Sequence, residues 1–383
     1  MQENTSHRFS RRAFFKAAAG AAAGAALLSF HQDVFARPTI LALPDTIALE
    51  NCPADAWETA NRSELVKHAY QQVLQSAGKI KDGSLRTTVV NIIKNPAPTI
   101  MEQYTNMAAV ERVYNRLLDK HLIEEGKISR ETLFPRVADI QKSPQPFISA
   151  PGSGYGSHHA YPGGLPAHMA TNLLIAEGLL ETYRQNFAYD LDSDVVLASE
   201  ALHDLHKPWV FQWEENGVCL PEYTIAGTGA HHILSLAESM YRKLPAEVIV
   251  AQACAHNHPG TARDEADVVG WLQAAAIIAG QDAASFLSDD GMHLPQPQSQ
   301  AGYFTHLADH DWVLSSPAAQ RSVAALQKIA REEYKMSEED IKGRKFNYFR
   351  NYIGAQLSFM HLNYMMSSGQ EQKAIAMIRT LVK

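Results

Sequence analysis

Residues 158–168 read His-His-Ala-Tyr-Pro-Gly-Gly-Leu-Pro-Ala-His and lead into an apolar segment that runs to about Phe187. Pro166 suits the first turn of a helix, where its missing amide hydrogen has no partner to lose. Beyond it, apolar residues recur at spacings of three and four, which predicts a buried helical stripe. The stripe consists of Leu173, Ala176, Leu180, Tyr183 and Phe187. The stretch therefore predicts a glycine-rich connection followed by a long core helix that carries His168 one turn inside.

The same helical periodicity continues on both sides of this segment. Amphipathic helices are predicted within residues 63–123, and further helices at about 193–206, 229–243, 245–255 and 264–287. A short hairpin around Asn216-Gly217 is the main candidate for strand structure. Residues 294–316 are expected to be rich in loops, and residues 317–383 return to helix. The sequence predicts an all-α fold.

Composition limits the classes of partner. The chain has 383 residues, of which 46% are hydrophobic and 20% charged, and this is a globular composition. Its formal net charge is −7, and it has no basic run of five or more residues. Phosphate backbones and acidic membranes need concentrated lysine and arginine. Small molecules are therefore the expected partners, and nucleic acid is not.

Histidine is unusually abundant, with 17 residues in the chain, many of them between positions 158 and 258. Each predicted helix of this region offers at least one imidazole or carboxylate near an end. His203 and Asp204 are adjacent, and side chains about 100° apart on a helix can both reach an ion lodged between helices. Imidazole with carboxylate is a ligand set that favours Fe, Mn, Zn, Co or Ni. A single histidine of this kind is more often a core or surface residue, but the set predicts a metal centre.

Two of these segments resemble the HD-domain phosphohydrolases. Residues 158–168 resemble the opening of the HD domain, and Leu202-His203-Asp204-Leu205-His206-Lys207 resembles its eponymous motif. The resemblance spans roughly residues 158–287, and His206 stands where the family usually has glycine. It implies an HD-domain helical bundle with additional N- and C-terminal helices.

The resemblance also implies a set of metal ligands. His168, His203, Asp204 and Asp282 would hold a first ion. His232 and His256 would hold a second, with His231 and His258 as open alternatives. His232 is favoured over His231 because it lies closer to the apolar side of its predicted helix. The implied cofactor is a divalent transition metal, with two ions expected.

The reaction implied is attack of metal-activated water on a phosphate ester, that is, a phosphohydrolase or phosphodiesterase. Lys207 can place its ammonium on a phosphoryl oxygen, or it is simply a solvated lysine at a helix end. His159 and Tyr161 can contact the substrate or protonate the leaving group, or they belong to a loop packed over the metal. Two alternatives remain. One is a di-iron HD-type oxygenase resembling inositol oxygenases, and the other is a non-catalytic metal-binding module.

The first 36 residues are typical of an export signal. Ser10-Arg11-Arg12-Ala13-Phe14-Phe15-Lys16 resembles the twin-arginine (Tat) motif, and an apolar stretch follows at residues 17–28. The stretch is too short to span a membrane, so no stable span is expected after cleavage behind Ala36. The sequence thus predicts a periplasmic or exported protein handled by the Tat export machinery. The expected organisation is a signal at 1–36, N-terminal helices at 37–150, a metal-binding core at 151–290 and a C-terminal helical extension at 291–383.

Overall fold

The computed structural model describes residues 42–383, so the predicted signal at residues 1–36 lies outside the described part. Residues from Leu43 to Lys383 form one compact unit. Its helices are α1 (Ala56–Asn61), α2 (Glu64–Ala77), α3 (Gly83–Lys94), α4 (Met107–Asp119), α5 (Gly164–Phe187), α6 (Ser193–Leu202), α7 (Lys207–Val210), α8 (Ala230–Tyr241), α9 (Ala246–Ala253), α10 (Ala262–Ala279), α11 (Ala301–Ala308), α12 (Trp312–Glu332), α13 (Glu338–Lys342), α14 (Arg344–Leu357), α15 (Phe359–Ser367) and α16 (Glu371–Leu381). The all-α prediction is confirmed. None of the helices between residues 42 and 383 is both long and apolar enough to cross a bilayer.

Strand structure is limited to short pieces. In the described residues the one ribbon pairs β1 (Thr224–Ile225) antiparallel with β2 (Thr228–Gly229). At the hairpin predicted around Asn216-Gly217, a single antiparallel bridge joins Trp213 and Cys219. Neither feature forms a layer of the fold, and the ribbon instead leads the chain into α8.

The long helix α5 lies at the centre of the molecule. It packs against α2, α6 and α11, while α6 also packs against α9, and α8 packs against α10. The N-terminal half of α5 supplies the buried side chains, including Leu165, Met169 and Leu173. In its C-terminal half Leu180 and Tyr183 are only partly buried against the core, and Phe187 is 63% exposed. The predicted stripe is therefore buried only at its start, and the end of α5 that carries His168 is the enclosed one.

Capping residues fix where several of these helices begin. Asp192 caps α6 and Thr261 caps α10, each through a side-chain oxygen that accepts an amide hydrogen of the first turn. Gly280 ends α10 in the left-handed conformation, and its amide donates to the carbonyl of Ile277. Thus α10 stops at Ala279, eight residues before the predicted end at 287.

The segment expected to be a loop, residues 294–316, is largely helical. It contains α11, a 3₁₀ turn at Asp309–Asp311 and the first turn of α12. The proline and glutamine residues that suggest a loop occupy only its beginning, before Ala301. This correction matters because the turn at 309–311 enters the centre of the molecule, where Asp309 is buried.

Two glycines let the connection before α5 close on itself. Gly163 has φ of +87°, which favours glycine, and a Cβ there would lie 2.3 Å from the Val66 side chain. A Cβ on Gly164 would lie 1.7 Å from the carbonyl oxygen of His159. The loop that carries His158 and His159 is thereby held against the first turn of α5.

Replacing Gly164 with alanine is expected to lower the free energy of unfolding by about 3 kcal/mol, because the added methyl group must displace the loop backbone. Gly178, on the same helix, is the matched control because a Cβ there meets nothing within 4 Å. Gly178→Ala should raise stability by up to about 1 kcal/mol through helix propensity. Urea unfolding of the two variants measures the difference, and equal stabilities would contradict the close approach.

Candidate metal centre

The chain brings three imidazoles and two carboxylates together from four different places. His168 lies on α5, His203 and Asp204 follow the last turn of α6, His256 follows α9, and Asp309 begins the turn before α12. Four of these side chains are almost completely buried, and His256 is 21% exposed. The cluster therefore sits inside the bundle, and His256 is its most exposed member.

The two carboxylates face the first pair of histidines. Oδ2 of Asp204 lies 3.1 Å from Nε2 of His168 and 3.2 Å from Nε2 of His203. Oδ1 of Asp309 lies 3.2 Å and 3.3 Å from the same two nitrogens. Four ligand atoms thus converge on one point between two helices and a turn.

The second oxygen of each carboxylate faces a second pair of histidines. Oδ1 of Asp204 lies 3.2 Å from Nε2 of His231 and 3.9 Å from Nε2 of His256. Oδ2 of Asp309 lies 3.7 Å from Nε2 of His256. Asp204 accordingly borders both groups of possible ligands, and Asp309 reaches towards both.

The donor atoms fit divalent ions. Two ligand atoms that each lie about 2.1 Å from one ion, with the two bonds at right angles, are about 3.0 Å apart. This separation is close to the distances between ligand atoms in the first group. Nε2 of His203, Nε2 of His231 and Oδ1 of Asp204 are buried and make no hydrogen bond within the described residues. Orphaned buried polar atoms are costly, and ligation would satisfy them. The clusters can therefore bind metal ions.

The cluster is strongly coupled electrostatically. Burial opposes charge on His203, but Asp204 and Asp309 outweigh it and raise the pKa of this imidazole well above its ordinary value. Burial likewise opposes charge on Asp204, yet His203 and Lys207 hold the pKa of this carboxyl well below its usual range. Burial also opposes charge on Asp309, but His203 and His168 hold the pKa of this carboxyl well below its usual range. Both carboxylates are thus ionised, as metal ligands must be.

Neighbouring groups orient the ligand side chains. Nδ1 of His203 lies 2.7 Å from the carbonyl oxygen of Glu200 and donates to it, which directs Nε2 towards the centre, where a bound metal would displace its proton. The amide of Asn172 donates to Oδ1 of Asp309 at 2.9 Å. Glu222 accepts a hydrogen bond from Nδ1 of His231, which leaves its Nε2 aimed at Asp204. Each of these contacts aims a ligand atom at the centre.

Asp282 does not join this cluster. Because α10 ends at Gly280, the side chain of Asp282 is exposed and accepts the amide hydrogen of Ala284 at the start of a surface turn. It lines a surface cavity with Arg116 and Gln273. Asp309, and not Asp282, contributes a carboxylate to the cluster. The signal that could have revealed it is the triplet Asp309-His310-Asp311, which lies in the segment expected to be a loop.

The structure places the two members of each open pair of histidines differently relative to Asp204. Nε2 of His232 lies 3.2 Å from the carbonyl oxygen of Ala253, and its ring stacks on His256, so His231 rather than His232 faces Asp204. His232 is fully buried on α8, as predicted, but its ring packs against His256 and Trp271. His256 faces the cluster, whereas His258 points away and accepts the amide hydrogen of Gly260.

Lys207 lies directly against the cluster. It is 2% exposed, and its Nζ lies 2.5 Å from Oδ2 of Asp204 and donates to the carbonyl oxygen of Gly152. It is therefore not the solvated lysine of the alternative interpretation. An ammonium group has three hydrogens, so one remains available after these two contacts.

His159 and Tyr161 are more constrained than predicted. Nε2 of His159 lies 2.8 Å from Oδ2 of Asp311, and its Nδ1 lies 3.4 Å from the hydroxyl of Tyr161. Tyr161 is fully buried, and its ring packs edge-on against Phe359. Both nitrogens of His159 thus face protein groups, and the two residues tie the loop to α12 and α15.

Arg350 holds the same loop from the other side. Its guanidinium donates to the carbonyl oxygens of Tyr155 and Ala160, both at 2.7 Å, which bracket His158 and His159. The side chain is 2% exposed and lies over the Tyr155 ring. No sequence pattern connects Arg350 with this loop.

Replacing Arg350 with methionine is expected to lower the free energy of unfolding by about 3 kcal/mol, because two carbonyl groups in the loop lose a charged donor. Arg331→Met is the matched control, since Arg331 forms an exposed ion pair with Glu338. Its effect should be below about 1 kcal/mol. Urea denaturation distinguishes the two, and a small effect at Arg350 would show that the loop is held by other contacts.

Comparison with known proteins gives one distant relative. The chain is 24% identical over 230 residues to the dihydroneopterin 2′,3′-cyclic phosphate phosphodiesterase of Methanocaldococcus jannaschii, a match covering 60% of this chain and 74% of that protein. No model of a known protein family matches the chain. No solved structure matches it either. The similarity to a phosphodiesterase and the buried clusters of histidine and aspartate both support hydrolysis of a phosphate ester.

Proposed function

We propose that this protein is a metal-dependent phosphodiesterase of the HD type. The observation that carries the proposal is the carboxylate of Asp204, whose two oxygens face two different groups of buried histidines. Similarity to a phosphodiesterase supports the same reaction class. The motif around His203 and Asp204 and the helical fold both fit the HD resemblance.

The proposed ligands form two sets that share Asp204. The first set is His168, His203, Asp204 and Asp309, and the second is Asp204, His231 and His256, with Asp309 at its edge. Divalent transition metals bound there would supply Lewis acidity and lower the pKa of water, as hydrolysis of a phosphate ester requires. Imidazole and carboxylate donors favour Fe, Mn, Zn, Co or Ni as the bound metals.

The chain's own groups then bind and orient the ester. Lys207 is fixed by Asp204 and Gly152, so its remaining hydrogen can donate to a phosphoryl oxygen without a search through rotamers. His158 remains partly exposed, and its ring centre is 5.1 Å from that of His168. We assign Lys207 to phosphate binding and His158 to hydrogen bonding with the substrate beside the metal centre.

The proposed substrate is a small phosphodiester, with a cyclic phosphate as the first choice because the relative is named for one. The proposed location is outside the cytoplasm, because residues 1–36 resemble a Tat signal. A reporter fused after residue 41 should reach the periplasm of a host with the Tat system. It should stay inside a host that lacks the system or when Arg11 and Arg12 are both replaced by lysine.

The function is tested by metal removal and reconstitution under anaerobic conditions. Chelation should abolish hydrolysis of bis(p-nitrophenyl) phosphate and of a nucleoside 2′,3′-cyclic phosphate, and one of the metals above should restore it. Elemental analysis should give up to two ions per chain. Turnover that survives complete metal removal would overturn the proposal. Oxygen consumption without phosphate ester hydrolysis would instead favour the oxygenase that shares this kind of ligand set.

A further inference from the structure

A cavity of about 550 Å³ lies between the loop before α5 and the C-terminal helices. The loop contributes residues 155–157, and α12, α13 and α14 contribute the other walls. A volume of this size is typical of sites that bind small organic ligands. The cavity shares no residue with the two sets of proposed metal ligands, so it is a separate place for a ligand.

The wall of this cavity is positively charged. Lys342 and Arg350 belong to it, and no acidic residue is among the described residues that line it. The chain as a whole has a formal net charge of −7, so two cations in a wall without acids are a local exception. Cations in a concave wall favour an anionic ligand, because the surrounding protein screens the attraction less than water does.

Arg350 is a buried cation without a counter-charge. Its guanidinium donates to the carbonyl oxygens of Tyr155 and Ala160 and to the side-chain oxygen of Asn351. Its Nε is buried and makes no hydrogen bond within residues 42–383, so two of its five N–H groups remain unused. Burial lowers the pKa of this guanidinium, because no neighbouring carboxylate in the described residues offsets the loss of water. A bound anion would supply the missing charge.

The rest of the wall suits an apolar group. Val323, Ile341 and Phe346 line the cavity together with the two cations. Ile341 and Phe346 are buried in the C-terminal part of the core, and Val323 packs against it, so this part of the wall is held in place. The cavity therefore combines a cationic part with an apolar part.

The loop before α5 connects this cavity with the metal centre. Ser157 lines the cavity, and its Oγ lies 3.1 Å from Nδ1 of His158. The ring centre of His158 is in turn 5.1 Å from that of His168. A ligand in the cavity would therefore contact the loop directly beside a residue assigned to the substrate, without touching a proposed metal ligand.

We propose that this cavity is a second ligand site, which takes a small organic anion with an apolar body and a carboxylate or phosphate head. The head would pair with Lys342 and Arg350, and the body would lie against Val323 and Phe346. Binding at this site does not depend on the reaction proposed for the metal centre.

Calorimetric titration of the metal-loaded protein with 4-methylbenzoate and with neutral 4-methylbenzamide tests the charge preference. The benzoate should bind at least tenfold more tightly, because the amide has no charge to pair with the two cations. Lys342→Gln should weaken benzoate binding about fivefold through the loss of one ion pair. Lys345→Gln is the matched control and should leave the affinity unchanged, since Lys345 is also exposed but pairs with Asp340 outside the cavity.

Equal binding of the benzoate and the benzamide, or binding of neither, would overturn the proposal. The same holds if Lys342→Gln leaves the affinity for the benzoate unchanged, or if Lys345→Gln weakens it as much. Both lysines are exposed, so neither substitution is expected to prevent folding.

Asp204→Asn separates this site from the metal centre, because the variant is expected to lack tightly bound metal. A benzoate in the cavity still binds to this variant, whereas one held by the metals does not, and the second result would overturn the proposal. Titration of the same variant with 4-methylphenylphosphonate identifies the preferred head group as the one that binds more tightly. Retained benzoate binding by a protein that hydrolyses no phosphate ester would support the second site although the proposed function had failed.

Discussion

Asp204→Asn is expected to leave the protein without tightly bound metal and to lower phosphodiesterase turnover about 10³-fold or more, because several kcal/mol of charge stabilisation disappear. The carboxylate borders both sets of proposed ligands, so its loss affects both ions at once. Asparagine preserves volume and one acceptor oxygen, and the apolar core around α5 and α6 is unchanged. Helical content by circular dichroism should therefore match that of the parent protein. Elemental analysis and turnover are measured on the same sample.

Glu238→Gln provides the matched control for a buried carboxylate. Glu238 is fully buried on α8 but accepts hydrogen bonds from the amide of Ile100 and from Arg242, outside the metal centre. Its replacement should reduce stability, by about 3 kcal/mol if the pair with Arg242 is broken, while metal content stays unchanged. Asp204→Asn that retains two ions and full turnover would refute the assignment of the centre.

Asp309→Asn and Asp282→Asn are expected to behave oppositely. Oδ1 of Asp309 lies 3.2 Å and 3.3 Å from Nε2 of His168 and of His203, so its neutralisation removes a charged ligand from the first set. Metal affinity should fall by about 100-fold or more, beyond the range typical of groups that only orient ligands. Turnover at limiting metal should fall in parallel.

Asp282→Asn should change metal affinity and turnover by no more than about twofold, as expected of an exposed side chain away from the centre. Competitive titration with a metal indicator gives both affinities under one set of conditions. The opposite ranking, with Asp282 essential and Asp309 dispensable, would contradict the structure of this region.

Asp282 and Asp309 show which features of the cluster cannot be predicted from local sequence patterns. The residues preceding Gly280 are apolar with helical spacing. From this periodicity alone the helix is predicted to continue past Gly280 to residue 287. The left-handed glycine ends it at Ala279 and turns Asp282 to the surface. In contrast, prolines and glutamines before Ala301 suggested a loop, although the helix behind them is stabilised by tertiary contacts with α5, α6 and α9.

Sequence by itself determined the all-α class, the long helix that carries His168, and the adjacent His203 and Asp204, because helical periodicity and adjacency are local properties. It also limited the chemistry to imidazole and carboxylate ligands. Only the tertiary structure decided that His231 and Asp309, rather than His232 and Asp282, face the centre. Neighbouring positions on a helix differ by about 100° in direction, and the packing partner that fixes which of them points inward is distant in sequence.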